Sequence, residues 1–109
     1  MKIHKVTECA IIFDNDKEIS FEHEADCCEY NYADFPQVIE NNSDILDYDF
    51  ENNLIFEKCD DGFRFGDSRR MYFVPCYSEQ NGYYSTDVDI YYDGEHVLNT
   101  DCEYKSDWS

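Results

Sequence analysis

Residues 71–94 read MYFVPCYSEQNGYYSTDVDIYYDG, and this stretch decides the fold class. Met71 to Tyr77 is apolar and aromatic, the composition of a strand. Pro75 within it cannot donate a ladder hydrogen bond, which points to an edge or a bulge. Asn81-Gly82 supplies the residues that a tight hairpin turn needs. Val88, Ile90 and Tyr92 then alternate with Asp87, Asp89 and Tyr91, so Tyr83 to Tyr92 reads as the half-buried return strand. Asp93-Gly94 turns the chain again, and Val97-Leu98 fits a last short strand.

The rest of the chain follows the same pattern. Val6 to Phe13 reads as one buried strand. Asp14-Asn15-Asp16-Lys17 is turn chemistry. Ile19, Phe21 and His23 alternate with Ser20, Glu22 and Glu24, which completes a first hairpin. Ala25 to Phe35 fits one helical turn followed by a loop. Pro36 suits the first turn of a short helix that runs on through Asn41. Leu46, Tyr48 and Phe50 alternate with Asp47, Asp49 and Glu51 as in a strand, and Leu54 to Glu57 is a further apolar run. Asp61-Gly62 and Gly66-Asp67 bracket a short segment, Phe63 to Phe65. The sum is an α+β fold, a mainly antiparallel β-sheet with one or two short helices, in a single domain over residues 1–109. Residues 103–109 read as a tail prone to fray.

Ten Tyr and eight Phe supply a core, which excludes a disordered acidic chain. The charge is the outlying property. Twenty-six Asp and Glu face eight Lys and Arg, a formal net charge of −18, where small domains ordinarily carry about 2 to 8 in magnitude. Self-repulsion on this scale opposes the compact state; the explanations open to the sequence are solubility, a salt-rich habitat or, more sharply, a cationic partner. Direct binding to free nucleic acid or to an anionic membrane is disfavoured, because both repel the chain. The apolar run Cys9 to Phe13 is too short for a signal peptide, and no run approaches the roughly 20 residues of a membrane span. The expected location is the cytoplasm, where Cys9, Cys27, Cys28, Cys59, Cys76 and Cys102 default to free thiols.

The candidate partner-binding residues are carboxylates at strand spacing. Asp47, Asp49 and Glu51 stand at i, i+2 and i+4, which in a strand puts them on one face roughly 6.6 Å apart. Asp87, Asp89 and Asp93 make a second row if the strand runs that far, with Tyr91 as an aromatic anchor. Rows at this pitch imitate the spaced phosphates of a nucleic-acid backbone; the competing reading is a solvated face that keeps a sheet in solution. A second constellation is His23, Cys27 and Cys28, whose spacing suits a zinc site, but a closed site needs ligands the local sequence lacks. The same cysteines make poor nucleophiles, because Glu22, Glu24, Asp26 and Glu29 push a thiol pKa up. Asp14-Asn15-Asp16 opens like a calcium loop but lacks the required Gly and distal Glu. Arg64, Arg69 and Arg70 read as balancing nearby acid. No cofactor and no enzymatic activity are expected.

Two stretches, HEADCCE at His23 to Glu29 and SEQNGYYSTDVDI at Ser78 to Ile90, resemble a family of small phage and bacterial proteins. That family carries an HE-x-DCCE motif near its start and an SNGYYS-like hairpin near its end. The match covers about a fifth of the chain, and Glu79-Gln80 departs from the family's usual residues before the turn. The resemblance implies a phage or mobile-element origin. By analogy it also implies an inhibitor or decoy of host nucleic-acid machinery, with anti-CRISPR action the most specific case. The expected partner is then a basic nucleic-acid-binding protein such as a CRISPR effector, whose duplex channel is positively charged. The alternative is a small structural or zinc-binding domain with a His/Cys site and no mimicry.

Overall fold

The structure, a computed structural model, describes residues 1–22, 29–80 and 87–105. Its architecture is α+β, with antiparallel sheet dominant. The first sheet runs in the order β1 (Ile3–Val6), β2 (Ala10–Phe13), β3 (Glu18–Glu22), β8 (Asp87–Tyr92), β9 (Glu95–Asp101). The second is built on β7 (Met71–Gln80), with β6 (Gly62–Gly66), β5 (Ile55–Cys59), β4 (Glu29–Ala33) and β10 (Glu103–Lys105). The helix α1 (Phe35–Asn41) and a 3-10 helix (Ser43–Asp47) join β4 to β5.

The β2–β3 hairpin forms as the alternation predicts, with Ile11 opposite Ile19. Val6 to Phe13 is not one strand, however. The Thr7 hydroxyl accepts from the Cys9 and Ala10 amides, and the Thr7 amide donates to the Ala10 carbonyl. This local turn outcompetes the extended backbone, a habit of hydroxyl side chains, and splits the run into β1 and β2. Residues 29–33, expected in a loop, form β4. The helix after Pro36 is present, and the Asp34 carboxylate caps it by accepting from the Gln37 amide at 3.2 Å.

The largest departure is at residues 71–92. Asn81-Gly82 lies outside the described residues, but the strands on either side of it do not pair with each other. Residues 76–80 of β7 are flanked by β4, antiparallel, and residues 77–79 also by β10, parallel. Both hydrogen-bonding edges are therefore occupied, and β8 instead enters the first sheet between β3 and β9. Pro75 has no bulge but does face an edge, as expected, because β7 over residues 71–75 pairs with β6 alone. It is buried where β7 changes partners, from β6 over residues 71–75 to β4 over residues 76–80. Its carbonyl accepts from the Asp34 amide at 2.9 Å. The donor it lacks falls where β4 gives way to α1, so no ladder bond is lost. Residues 103–105 are likewise not frayed, because they form β10.

Between the sheets lies an aromatic core. Phe50, buried, stacks on Phe65 with centroids 5.6 Å apart and meets Phe13, Tyr48 and Tyr72 edge-on. Buried Asn31 of β4 donates to the Asp87 carbonyl at 3.0 Å and accepts from the Ser78 hydroxyl, which ties the second sheet to the start of β8. Thr100 of β9 donates to the carbonyl of Gly62 and, at 3.3 Å, to that of Cys59. Such buried polar links satisfy groups that are expensive to leave unpaired.

Candidate functional site: the outer face of β8 and β9

Strand alternation sets this face. Val88 and Ile90 point into the core, so Asp87, Asp89 and Tyr91 stand half-buried on the other side. The ladder places Asp101 opposite Asp87, Asn99 opposite Asp89, and His96 opposite Tyr91. A register shift at Ile90/Tyr91 gives β9 one extra residue there, Val97, which turns His96 to the outer face.

The carboxylates are oriented by polar neighbours. Asn99 Nδ2 donates to Asp87 Oδ2 at 2.8 Å and to Asp89 Oδ1 at 3.1 Å. His96 Nε2 lies 3.0 Å from Asp89 Oδ1. The Tyr91 and His96 rings meet edge-on, with centroids 5.4 Å apart. Lys58 approaches Asp101 at 3.8 Å. Exposed pairs of this kind contribute about 0–1 kcal/mol each, so their consequence is orientation rather than stability. On the other flank of β8, β3 brings Glu22 into register with Asp89.

The other expected row is not a strand. Asp47 ends the 3-10 helix and is exposed, and residues 48–50 are extended without a ladder. Asp49 is held at 2.8 Å by the amino group of Met1, whose hydrogen bond and charge lower its pKa. Glu51 accepts from the Ser68 hydroxyl at 2.6 Å and lies 3.6 Å from Arg69 Nε. Asp93 is not in the β8 row, since it sits in the turn with φ +53. The stretch 47–51 adjoins Met1 and the β1 edge, three inter-strand steps from β8, roughly 14 Å at sheet spacing. The two rows therefore belong to different elements and share no ladder.

A carboxylate not singled out from sequence organises that second region. Asp67 is buried. Its Oδ1 accepts from the Tyr48 hydroxyl at 2.8 Å and from the amides of Arg69 and Arg70 at 2.9 and 3.1 Å. Its Oδ2 accepts from the Glu51 amide at 3.0 Å and from Arg69 Nη2 at 3.3 Å. Burial pushes the Asp67 carboxyl up, but the bonds from Glu51, Tyr48, Arg69 and Arg70 outweigh it and hold it well below the usual carboxylate range. The Arg69 and Arg70 guanidinium groups lie over the Tyr48 and Tyr72 rings. The signal that could have found this clip is Asp67-Ser68-Arg69-Arg70 after Gly66, an aspartate placed to accept from amides two and three residues on.

All three arginines are engaged by acid: Arg64 by Glu57, Arg69 by Asp67 and Glu51, Arg70 by Asp44. His23, Cys27 and Cys28 lie outside the described residues. Among the described residues, no group of three His, Cys, Asp or Glu side chains is placed to hold a metal ion, and no helix is long and apolar enough to cross a membrane. Comparison with protein-family models, with curated proteins and with solved structures returns no match.

Proposed function

We propose that this chain is an acidic binding module whose β8–β9 face docks on a basic nucleic-acid-binding surface of another protein, as an inhibitor or decoy. The observation that carries the reading is the oriented set Asp87, Asp89 and Asp101, half-exposed or exposed on one face. The chain's three arginines pair with acids elsewhere, and the contact of Asp101 with Lys58 at 3.8 Å is long and exposed, open to exchange for an incoming cation. The partner class follows from charge: a groove evolved for phosphates carries Lys and Arg at a pitch that carboxylates on alternate strand positions can meet. A CRISPR effector's duplex channel is the most specific instance of such a groove. Tyr91 beside Asp89 offers an aromatic surface for a guanidinium.

The test is association kinetics with a partner captured from a bacterial host lysate, measured from low to high salt. Attraction between exposed charges is screened within about 8 Å at physiological ionic strength, so the association rate falls steeply as salt rises. The double change Asp87→Asn, Asp89→Asn slows association several-fold at low salt and leaves dissociation nearly unchanged. If the neutralised protein associates as fast as the parent at every salt concentration, docking through this face is wrong.

A further inference from the structure

Cys102 stands at a singular point of the chain. It is the one residue between β9, in the first sheet, and β10, in the second. The parallel register of β10 on β7 pairs Glu103 with Tyr77 and Tyr104 with Ser78. One step back, that register sets Cys102 beside Cys76. Both are buried, at 5% and 0% exposure, and both are free thiols. Neighbouring strands lie about 4.8 Å apart, inside the 4.4–6.8 Å range of Cα separations that a disulfide spans. The adjacent Cys102 thiol and burial together push the Cys76 thiol up.

We propose that Cys76 and Cys102 are a redox-sensitive staple, reduced in the described state and closed to a disulfide by exchange with a small-molecule disulfide such as oxidised glutathione. Opening of the three-residue strand β10 exposes Cys102. Its thiolate attacks one sulfur of oxidised glutathione, forming a mixed disulfide and releasing one glutathione thiolate. Cys76 loses its proton to solvent and attacks the Cys102 sulfur, which forms the protein disulfide and releases the second glutathione. Two protein thiols are oxidised by two electrons, and one glutathione disulfide is reduced to two thiols. Burial of both sulfurs keeps the pair out of reach of a soluble disulfide while β10 is docked, because exchange needs an accessible thiolate. Once closed, the bond joins β7 to the crossing point between the sheets and encloses the whole of β8 and β9. It therefore limits the unfolded chain and locks the candidate face to the second sheet.

The experiment uses the whole chain, reduced and then equilibrated without denaturant in buffers of increasing oxidised-to-reduced glutathione ratio. Free thiols are trapped by alkylation, linked peptides are mapped by mass spectrometry, and thermal unfolding is recorded. The expected product is a Cys76–Cys102 link, two mass units lighter than the dithiol, with a midpoint raised by about 10–20 °C. The Cys102→Ala variant loses the link and the shift. Should that variant not fold, the peptide map and midpoint of the parent decide alone. The staple is wrong if oxidised native protein links other cysteines instead, if the Cys76–Cys102 link forms only in denaturant, or if the linked protein melts no higher than the reduced one.

Discussion

Replacing Asp67 by Asn tests whether the buried carboxylate holds residues 48–51 onto the β6–β7 turn. The side chains are nearly identical in shape, so packing is unchanged and only charge and hydrogen bonding differ. An asparagine oxygen at the Oδ1 position keeps the bonds from Tyr48 and from the Arg69 and Arg70 amides. Its NH2 then takes the Oδ2 position and faces two donors, the Glu51 amide and Arg69 Nη2. Two bonds to a charged acceptor are lost, each about 1.5–3 kcal/mol, and one backbone donor is left unpaired. Relief of carboxylate desolvation returns part of this, leaving a destabilisation of about 3 kcal/mol. Urea unfolding should show a lower midpoint at unchanged slope, and thermal unfolding a midpoint lower by roughly 12 °C or more. The pH dependence separates this cause from a packing defect. The native pKa of Asp67 is depressed, so its contribution is complete above the unfolded-state value of about 3.9 and is lost as pH falls toward the native value. The gap between parent and variant is therefore full at pH 7 and narrows on acidification below about pH 4, while the other carboxylates cancel in the difference. A loss under about 1 kcal/mol at pH 7, or a gap that does not change with pH, would refute the clip.

Three further outcomes follow from the packing. Phe50→Ala removes the ring that joins Phe13, Tyr48, Phe65 and Tyr72, and should cost about 3–5 kcal/mol by denaturant titration. Gly62→Ala should destabilise by about 1–3 kcal/mol, because a Cβ there meets the Val74 carbonyl oxygen and the Phe73 ring; full parental stability would mean that β6 and β7 are not so close. Among the described cysteines, alkylation of native, reduced protein followed over time should label exposed Cys9 first and half-buried Cys59 later, with Cys76 and Cys102 reacting only after opening or unfolding.

Local patterns were legible wherever neighbours along the chain supply the deciding energy. Asp14 to Lys17 and Asp93-Gly94 turn as their residue types require, with Asp16, Asp93 and Gly94 at positive φ. The turn expected at Asp61-Gly62 forms one residue earlier, at Asp60-Asp61, with Asp61 at positive φ and Gly62 already in β6. The short helix starts where Pro36 places it. The inward set Val88, Ile90 and the outward set Asp87, Asp89, Tyr91 follow from a period of two, whichever strand lies alongside. Of Leu46, Tyr48 and Phe50, expected on the inward side of one strand, Phe50 is buried and Tyr48 half-buried in an extended stretch held by a buried carboxylate. Leu46 is exposed, because it belongs to the 3-10 helix, where a period of two does not set burial.

What the chain could not reveal by itself is which edges meet. A strand's sequence encodes two faces but leaves its hydrogen-bonding edges anonymous, since every residue except proline offers the same amide and carbonyl. The apparent hairpin across residues 71–92 therefore gave way once β4 and β10 had taken the edges of β7, and β8 took the open place beside β3. The same anonymity hid the Asp67 clip, whose donors come from Tyr48 and Glu51 as well as its own turn, and the meeting of Cys76 with Cys102, which depends on a parallel register between distant segments. Charge was written in the composition. Its distribution was not, because only tertiary contacts assign Arg64, Arg69 and Arg70 to Glu57, Asp67 and Asp44 and leave the carboxylates of β8 and β9 facing outward.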